Sequence, residues 1–254
     1  MKYKNIIKLL LALLPGYAIA QSPTVIKNTT KSGIMTALYN NYNAKENTSD
    51  WLCNDKSILK TFSLNNTTHF TAKMLYADST VNGANKQLYV LLSLNPVDNE
   101  CYACAPVLKS LLFIKNATTW ILSREGIGEQ IGSMGDAPPF KAIKFKNNIA
   151  FLFEGGFTNM GISSGFIELS AWYNGIFKPL LTILDASYTN EGNCVPTSKE
   201  KCFGYDGKIK FITTGKDFDD ILFTKKGTDL KKNKVVKIDS AITYKFVNGN
   251  YVKQ

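Results

Sequence analysis

The stretch Ala171-Trp172-Tyr173-Asn174-Gly175-Ile176-Phe177 decides the fold class. Asn-Gly accepts the positive φ angles that a two-residue type I′ turn demands, and apolar residues flank it on both sides. A turn at Asn174-Gly175 sets Trp172 opposite Phe177 on two antiparallel strands. Near the end of the chain, Tyr244-Lys245-Phe246-Val247-Asn248-Gly249-Asn250-Tyr251 repeats the pattern and sets Phe246 opposite Tyr251.

Outward from these two hairpins, most of the sequence after Phe70 has a period of two. Residues 88–94 form a near-continuous apolar run and predict a buried strand. Ile143 and Phe145 alternate with Lys144 and Lys146; after Asn147-Asn148 the apolar set resumes at Ile149, Phe151 and Phe153. A three-residue loop there keeps both sets on one face. Residues 208–213 and 220–224 read as another strand pair. No long amphipathic helix alternates with these segments, so the pattern predicts an all-β, mainly antiparallel fold. A sandwich, a barrel and a propeller-like sheet stack all fit it. Residues 21–68 are less regular, with short helices expected at 34–42 and 49–62, the second capped by Ser49 or Asp50.

The start of the chain sets the compartment. Lys2, Lys4 and Lys8 precede an apolar run at 9–14, and Ala18-Ile19-Ala20 supplies a small-x-small cleavage site. That layout predicts a signal peptide over 1–20, cleavage before Gln21, and a single mainly-β domain over 21–254. Gln21 in place of cysteine argues against a lipoprotein anchor. No other apolar run is long enough for a transmembrane helix. The expected location is the periplasm or the medium.

The formal net charge is +10, and losing the three leader lysines leaves +7. Nearly all of it is lysine, Arg124 being the sole arginine. Scarcity of arginine, the usual residue for bidentate base and phosphate readout, argues against a nucleic-acid partner. Lys225, Lys226, Lys231, Lys232, Lys234 and Lys237 form a basic stretch, a candidate contact for an anionic envelope surface or an acidic protein.

The five cysteines are Cys53, Cys101, Cys104, Cys194 and Cys202. Export favours disulfides, and the odd count leaves one thiol over. Spacing favours Cys194–Cys202, around a turn-rich segment; the other three leave several pairings open. Cys101-Tyr102-Ala103-Cys104 also reads as a C-x-x-C redox motif, with Pro106 starting a helix over 107–113. Against that, Asp98 and Glu100 would raise the thiol pKa and the βαβ pattern is missing. A structural bond is the expectation.

Other motifs are weaker. Gly161-Ile162-Ser163-Ser164-Gly165 matches a nucleophile elbow, but a strand pattern follows it where the elbow needs a helix, and the sole histidine, His69, lies upstream. Gly126-Ile127-Gly128 with Gly132 has the wrong spacing for a dinucleotide loop and reads as turns. Asp217, Asp219 and Asp220 supply hard oxygens suited to calcium, without the EF-hand spacing, and read first as a polar hairpin turn. No other cofactor is expected.

From Cys101 to Tyr173 the chain resembles uncharacterised exported proteins of Gram-negative bacteria. The residues that carry the resemblance are Cys101-Tyr102-Ala103-Cys104-Ala105-Pro106, Trp120, Gly132-Ser133-Met134-Gly135-Asp136-Ala137-Pro138 and the later Gly-rich strand pair. The resemblance implies export and a β-rich fold, and transfers no activity. The functional expectation is therefore an exported, non-enzymatic binding protein, as an inhibitor or immunity-type partner of a periplasmic or envelope protein. The enzyme alternatives are a thiol–disulfide oxidoreductase using Cys101 and Cys104, and an envelope hydrolase with an unmarked site.

Overall fold

The computed structural model describes residues 24–83, 85–97, 104–194 and 201–254. The leader, Asp98, Glu100 and Cys101 lie outside the described residues.

The chain is all-β, with two short helices among the described residues. Its elements run β1 (Val25–Ile26), α1 (Lys31–Tyr39), β2 (Thr48–Cys53), α2 (Lys56–Thr61), β3 (Thr68–Asn82), β4 (Asn85–Pro96), β5 (Val107–Asn116) and β6 (Thr119–Gln130). They continue as β7 (Phe140–Lys144), β8 (Ile149–Asn159), β9 (Ile162–Tyr173), β10 (Ile176–Thr189), β11 (Gly204–Ile212), β12 (Asp220–Lys231), β13 (Lys234–Val247) and β14 (Asn250–Lys253). Two open antiparallel sheets result. One has the order β1-β6-β5-β4-β3-β2, and the other the order β14-β13-β12-β11-β10-β9-β8-β7.

Both Asn-Gly turns form as the sequence predicts. Asn174 and Gly175 have φ of 48° and 82°, Asn248 and Gly249 of 50° and 89°. Trp172 pairs with Phe177, and Phe246 with Tyr251. Residues 88–94 lie within β4 and are all buried, and Lys208 pairs with Thr224 in the expected pair β11–β12.

Three cores stack through the molecule. Ile34 and Met35 of α1 and Ile58 and Leu59 of α2 cover one face of the first sheet, against Phe70, Val90, Leu92, Leu111 and Phe113. The opposite face of that sheet, through Tyr89, Leu91, Leu108 and Leu112, packs on Ile149, Phe151, Phe153, Trp172 and Phe177 of the second. The second sheet then curls. Phe145, beside β7, and Tyr251, on β14, share a third core with Leu169, Leu181 and Phe223. Strands at both edges can share a core only if the sheet bends back on itself. Lys178 on β10 donates from Nζ to Asn250 Oδ1 on β14 at 3.3 Å, so the two strands lie close without pairing.

Several local expectations are corrected. Residues 49–62 hold β2 and then α2, with Asp55 and not Ser49 or Asp50 as the cap; Ser57 N donates to Asp55 Oδ1 at 2.9 Å. Ser49 and Cys53 are buried while Asp50 and Leu52 point outward, a period of two that suits pairing with β3. The helix expected over 107–113 is strand β5. Its apolar run splits alternately, Leu108 and Leu112 to the second sheet, Leu111 and Phe113 to the helices, as a strand covered on both faces requires. The loop at Asn147-Asn148 is four residues, not three: Lys144 pairs with Ile149, and Phe145 N donates to Asn148 O at 2.9 Å. Ile143 and Phe145 consequently face the third core, and Ile149, Phe151 and Phe153 the second. Gly126 and Gly128 lie inside β6 and not in turns; a Cβ on Gly126 would meet Phe177 Cβ at 2.6 Å.

Candidate functional site

Strands β12 and β13 form a long hairpin with eleven paired positions, from Ile221↔Tyr244 to Lys231↔Lys234. Lys232 and Asn233 close it, both with positive φ, 46° and 61°. The six lysines of the basic stretch divide into two groups. At the stem, Lys225 Nζ sits 2.9 Å from Asp185 Oδ2 and 4.2 Å from the centre of the Tyr205 ring. Lys226 Nζ sits 3.7 Å from Asp239 Oδ1. These two are neutralised. At the tip, Lys231 lies directly opposite Lys234, with Lys232 in the turn and Lys237 three residues further on. Lys201 adds a fifth cation, donating from Nζ to the Asn233 carbonyl. Among the described residues, none of Lys201, Lys231, Lys232, Lys234 and Lys237 has a carboxylate within ion-pair distance. Leu230 and Val235, also a directly opposed pair, stand 39% and 40% exposed beside them.

Sequence reasoning found the lysines and missed Leu230, Val235 and Lys201. Leu230 and Val235 are symmetric about Lys232-Asn233, and a turn placed there would have revealed the pair. Nothing in the order of residues signals Lys201, which arrives from the start of β11.

Cys194 and Cys202 are bonded, with Cα atoms 5.2 Å apart, as spacing predicts. Cys104 is also disulfide-bonded. Among the described residues, Cys53 is the free thiol; it is buried, and burial pushes its pKa up, away from the reactive thiolate. The strand β5 follows Pro106, so no helix N-terminus is aimed at Cys104 to lower a thiol pKa.

Ser163 is the second residue of β9, just after the turn at Met160-Gly161, and shares a 2.7 Å hydrogen bond with Thr158 Oγ1. His69 lies on β3 in the other sheet. The nucleophile-elbow geometry is absent at Ser163. Asp217 and Asp219 occupy the link between β11 and β12 and turn to different partners; Asp220 opens β12, and its Oδ1 is buried without a hydrogen-bond partner among the described residues. Asp217 Oδ1 accepts from Asn147 Nδ2 at 2.9 Å, and Asp219 Oδ1 from Thr214 N at 2.9 Å. Among the described residues, no three His, Cys, Asp or Glu side chains gather as metal ligands.

One carboxyl is sealed between the sheets. Glu168 on β9 is 5% exposed, and Ser170 Oγ donates to its Oε1 at 2.6 Å. Burial pushes its pKa up; the Ser170 bond pulls the other way, and Glu129 adds to the rise. The folded state therefore holds this proton more tightly than the unfolded chain does. The stability tied to it is complete below the ordinary carboxylate pKa and is lost as pH rises through the raised folded value. Glu168→Gln keeps the shape and removes the ionisation. Its melting temperature is expected to exceed wild type at pH 8, with the gap closing toward about pH 4. Thermal scans across pH check this, and a gap independent of pH would contradict it.

No protein-family model matches the chain, and no curated protein or solved structure matches it either.

Proposed function

We propose that this is an exported binding protein that attaches to an anionic envelope surface through the tip of the β12–β13 hairpin. The observation that carries it is the coincidence of two unfavourable features at one place. Lys231 and Lys234 are forced opposite each other, although like charges directly across a strand pair are destabilising. Leu230 and Val235 are left partly in water at the same tip. An anionic lipid surface that meets the tip end-on relieves both: headgroups screen the ammonium groups of Lys231 and Lys234 on one face of the hairpin, and Leu230 and Val235 on the other face enter the interface. The leader layout, the Cys194–Cys202 bond and the lysine-dominated charge support export to a compartment with such a surface. Among the described residues, no helix is long and apolar enough to cross a membrane, so attachment at the surface is the mode this reading uses.

A second reading retains a protein partner. β14 pairs only with Tyr244 to Val247 of β13, so the outer edge of β13 from Lys234 to Ile242 has no neighbouring strand among the described residues. An acidic extended segment could add there as a strand.

Co-sedimentation with vesicles tests the first reading. The protein is expected to pellet with vesicles containing phosphatidylglycerol, not with neutral phosphatidylcholine, and to release as salt rises. Each lysine near such a surface contributes about 1 kcal/mol, so Lys231→Gln with Lys234→Gln should weaken binding about 30-fold. Equal binding to neutral vesicles, or unchanged binding by the double variant, would overturn the lipid reading.

A further inference from the structure

The sole arginine stands at a second, unassigned site. Arg124 lies on β6 at a change of register: Leu112 pairs with Arg124 but Phe113 with Leu122, leaving Ser123 as the extra residue of a bulge. Bulges re-aim the side chains beside them. Arg124 is exposed and, among the described residues, has no ion pair or hydrogen bond, whereas its neighbour Glu125 pairs with Lys109 at 3.1 Å. A chain with 30 basic residues has thus placed its one planar, five-donor fork where no carboxylate of its own meets it.

What the fork does meet is a cavity of about 430 Å³. It opens at the end of the sandwich where the turns β9–β10 and β13–β14 and the loops β7–β8 and β11–β12 converge. Gln87, Asn148 and Asn174 line it with amides, Lys216 adds a second cation, and the buried Tyr89 and Trp172 lie beneath them. Each sheet contributes a wall. The guanidinium lies over the Asn174-Gly175 turn: a Cβ on Gly175 would sit 3.5 Å from Arg124 Nη1. The Trp172 indole N–H is already donated to Ser110 and the Tyr89 hydroxyl to Gln87 Oε1 at 3.0 Å, so neither ring offers a free donor. Asp217 also lines the cavity, its Oδ1 engaged by Asn147.

We propose that this cavity binds a small organic carboxylate, with Arg124 holding the carboxylate through its two-pronged face and Lys216 and the amides of Asn148 and Asn174 lining the space beside it. The volume is in the range of small-molecule pockets. Guanidinium and carboxylate are both planar and match as a fork, which a single ammonium does not reproduce. This site does not depend on the membrane attachment, because Arg124 and the Lys232-Asn233 tip lie on different sheets.

Nuclear magnetic resonance titration of the mature protein tests the proposal, using benzoate, its uncharged counterpart benzamide, and phenyl phosphate as probes. The chain has three tryptophans, and the Trp172 indole N–H peak is the one that Trp172→Phe removes. Benzoate is expected to shift that peak saturably, with benzamide about tenfold weaker or more. Arg124→Lys keeps the charge and loses the fork; it should melt as wild type does and bind benzoate about tenfold more weakly. Equal binding of benzoate and benzamide, undiminished binding by Arg124→Lys, or no saturable shift would overturn the proposal. Phenyl phosphate binding about tenfold more tightly than benzoate would overturn the carboxylate class.

Discussion

Trp172→Ala is expected to lower the free energy of unfolding by about 3–5 kcal/mol. The ring is 4% exposed, on β9, and packs against Phe177 at 5.8 Å between centroids. It reaches across the interface between the sheets, where Nε1 donates to Ser110 Oγ at 2.9 Å. Alanine removes the ring from a core that also holds Phe151 and Phe153, and leaves a cavity that rigid strands on both sides cannot close. It also orphans the Ser110 hydroxyl, which is 0% exposed. Trp172→Phe separates the two effects: it keeps most of the volume and loses the bond, at about 1–3 kcal/mol. Adding Ser110→Ala to Trp172→Phe should return part of that loss. Urea unfolding followed by circular dichroism is the measurement, with a lower midpoint at unchanged slope. A loss under about 1 kcal/mol for Trp172→Ala would mean that the sheets are not held together at this ring.

Trp172 also shows what was legible in advance. Its strand, its turn and its partner Phe177 could be read because Asn174-Gly175 has one favoured conformation that fixes the register. Turns at Met160-Gly161 and Lys232-Asn233 adopt the same backbone with weaker residues, and the order of amino acids did not mark them. The loop at 145–148 shows the limit of periodicity. Alternation gives two apolar sets, but whether they share a face depends on one residue of loop length, and Phe145 is apolar yet outside the ladder. Strands β4, β5 and β8 bury side chains on both faces, so their runs carry no sign of which face meets which sheet. That is why the stacking of three cores was not legible, while the all-β class was.

The candidate site was legible in composition and not in pairing. The six lysines are visible in the chain, but Asp185, which neutralises Lys225, lies forty residues away. Only the fold separates the quiet stem from the charged tip. Arg124 was conspicuous as the sole arginine, yet its cavity is assembled from four turns and loops that adjoin only once both sheets are formed.

The seam between β10 and β11 should be the most sensitive point of the curled sheet. Those strands register at only two pairs, Tyr188↔Tyr205 and Thr189↔Gly204, whereas β11 and β12 share eight, from Tyr205↔Gly227 to Ile212↔Asp220. Other groups hold the seam closed. Tyr188 stacks between Phe203 and Tyr205, at 5.3 and 6.1 Å. Buried Asn190 donates from Nδ2 to Lys201 O and accepts at Oδ1 from Phe203 N, both at 2.9 Å. The Cys194–Cys202 bond closes the connection beside them. Replacing both cysteines with alanine is expected to cost about 2–4 kcal/mol. Asn190→Ala removes the hydrogen bonds to Lys201 O and Phe203 N, at about 1–2 kcal/mol. Because both changes act on the same seam, their combined cost should fall short of the sum by at least about 0.5 kcal/mol. Once either opens the seam, the other has less left to hold. Hydrogen exchange should show where: protection is lost first at the amides of β10 and β11 that register across the seam, while the β4–β5 pair stays protected. Additive costs with uniform exchange would place the weak point elsewhere. Loss confined to the seam would mean that the third core alone does not keep β10 and β11 together, and that two residue pairs, the Tyr188 stack, one asparagine and one disulfide keep the junction shut.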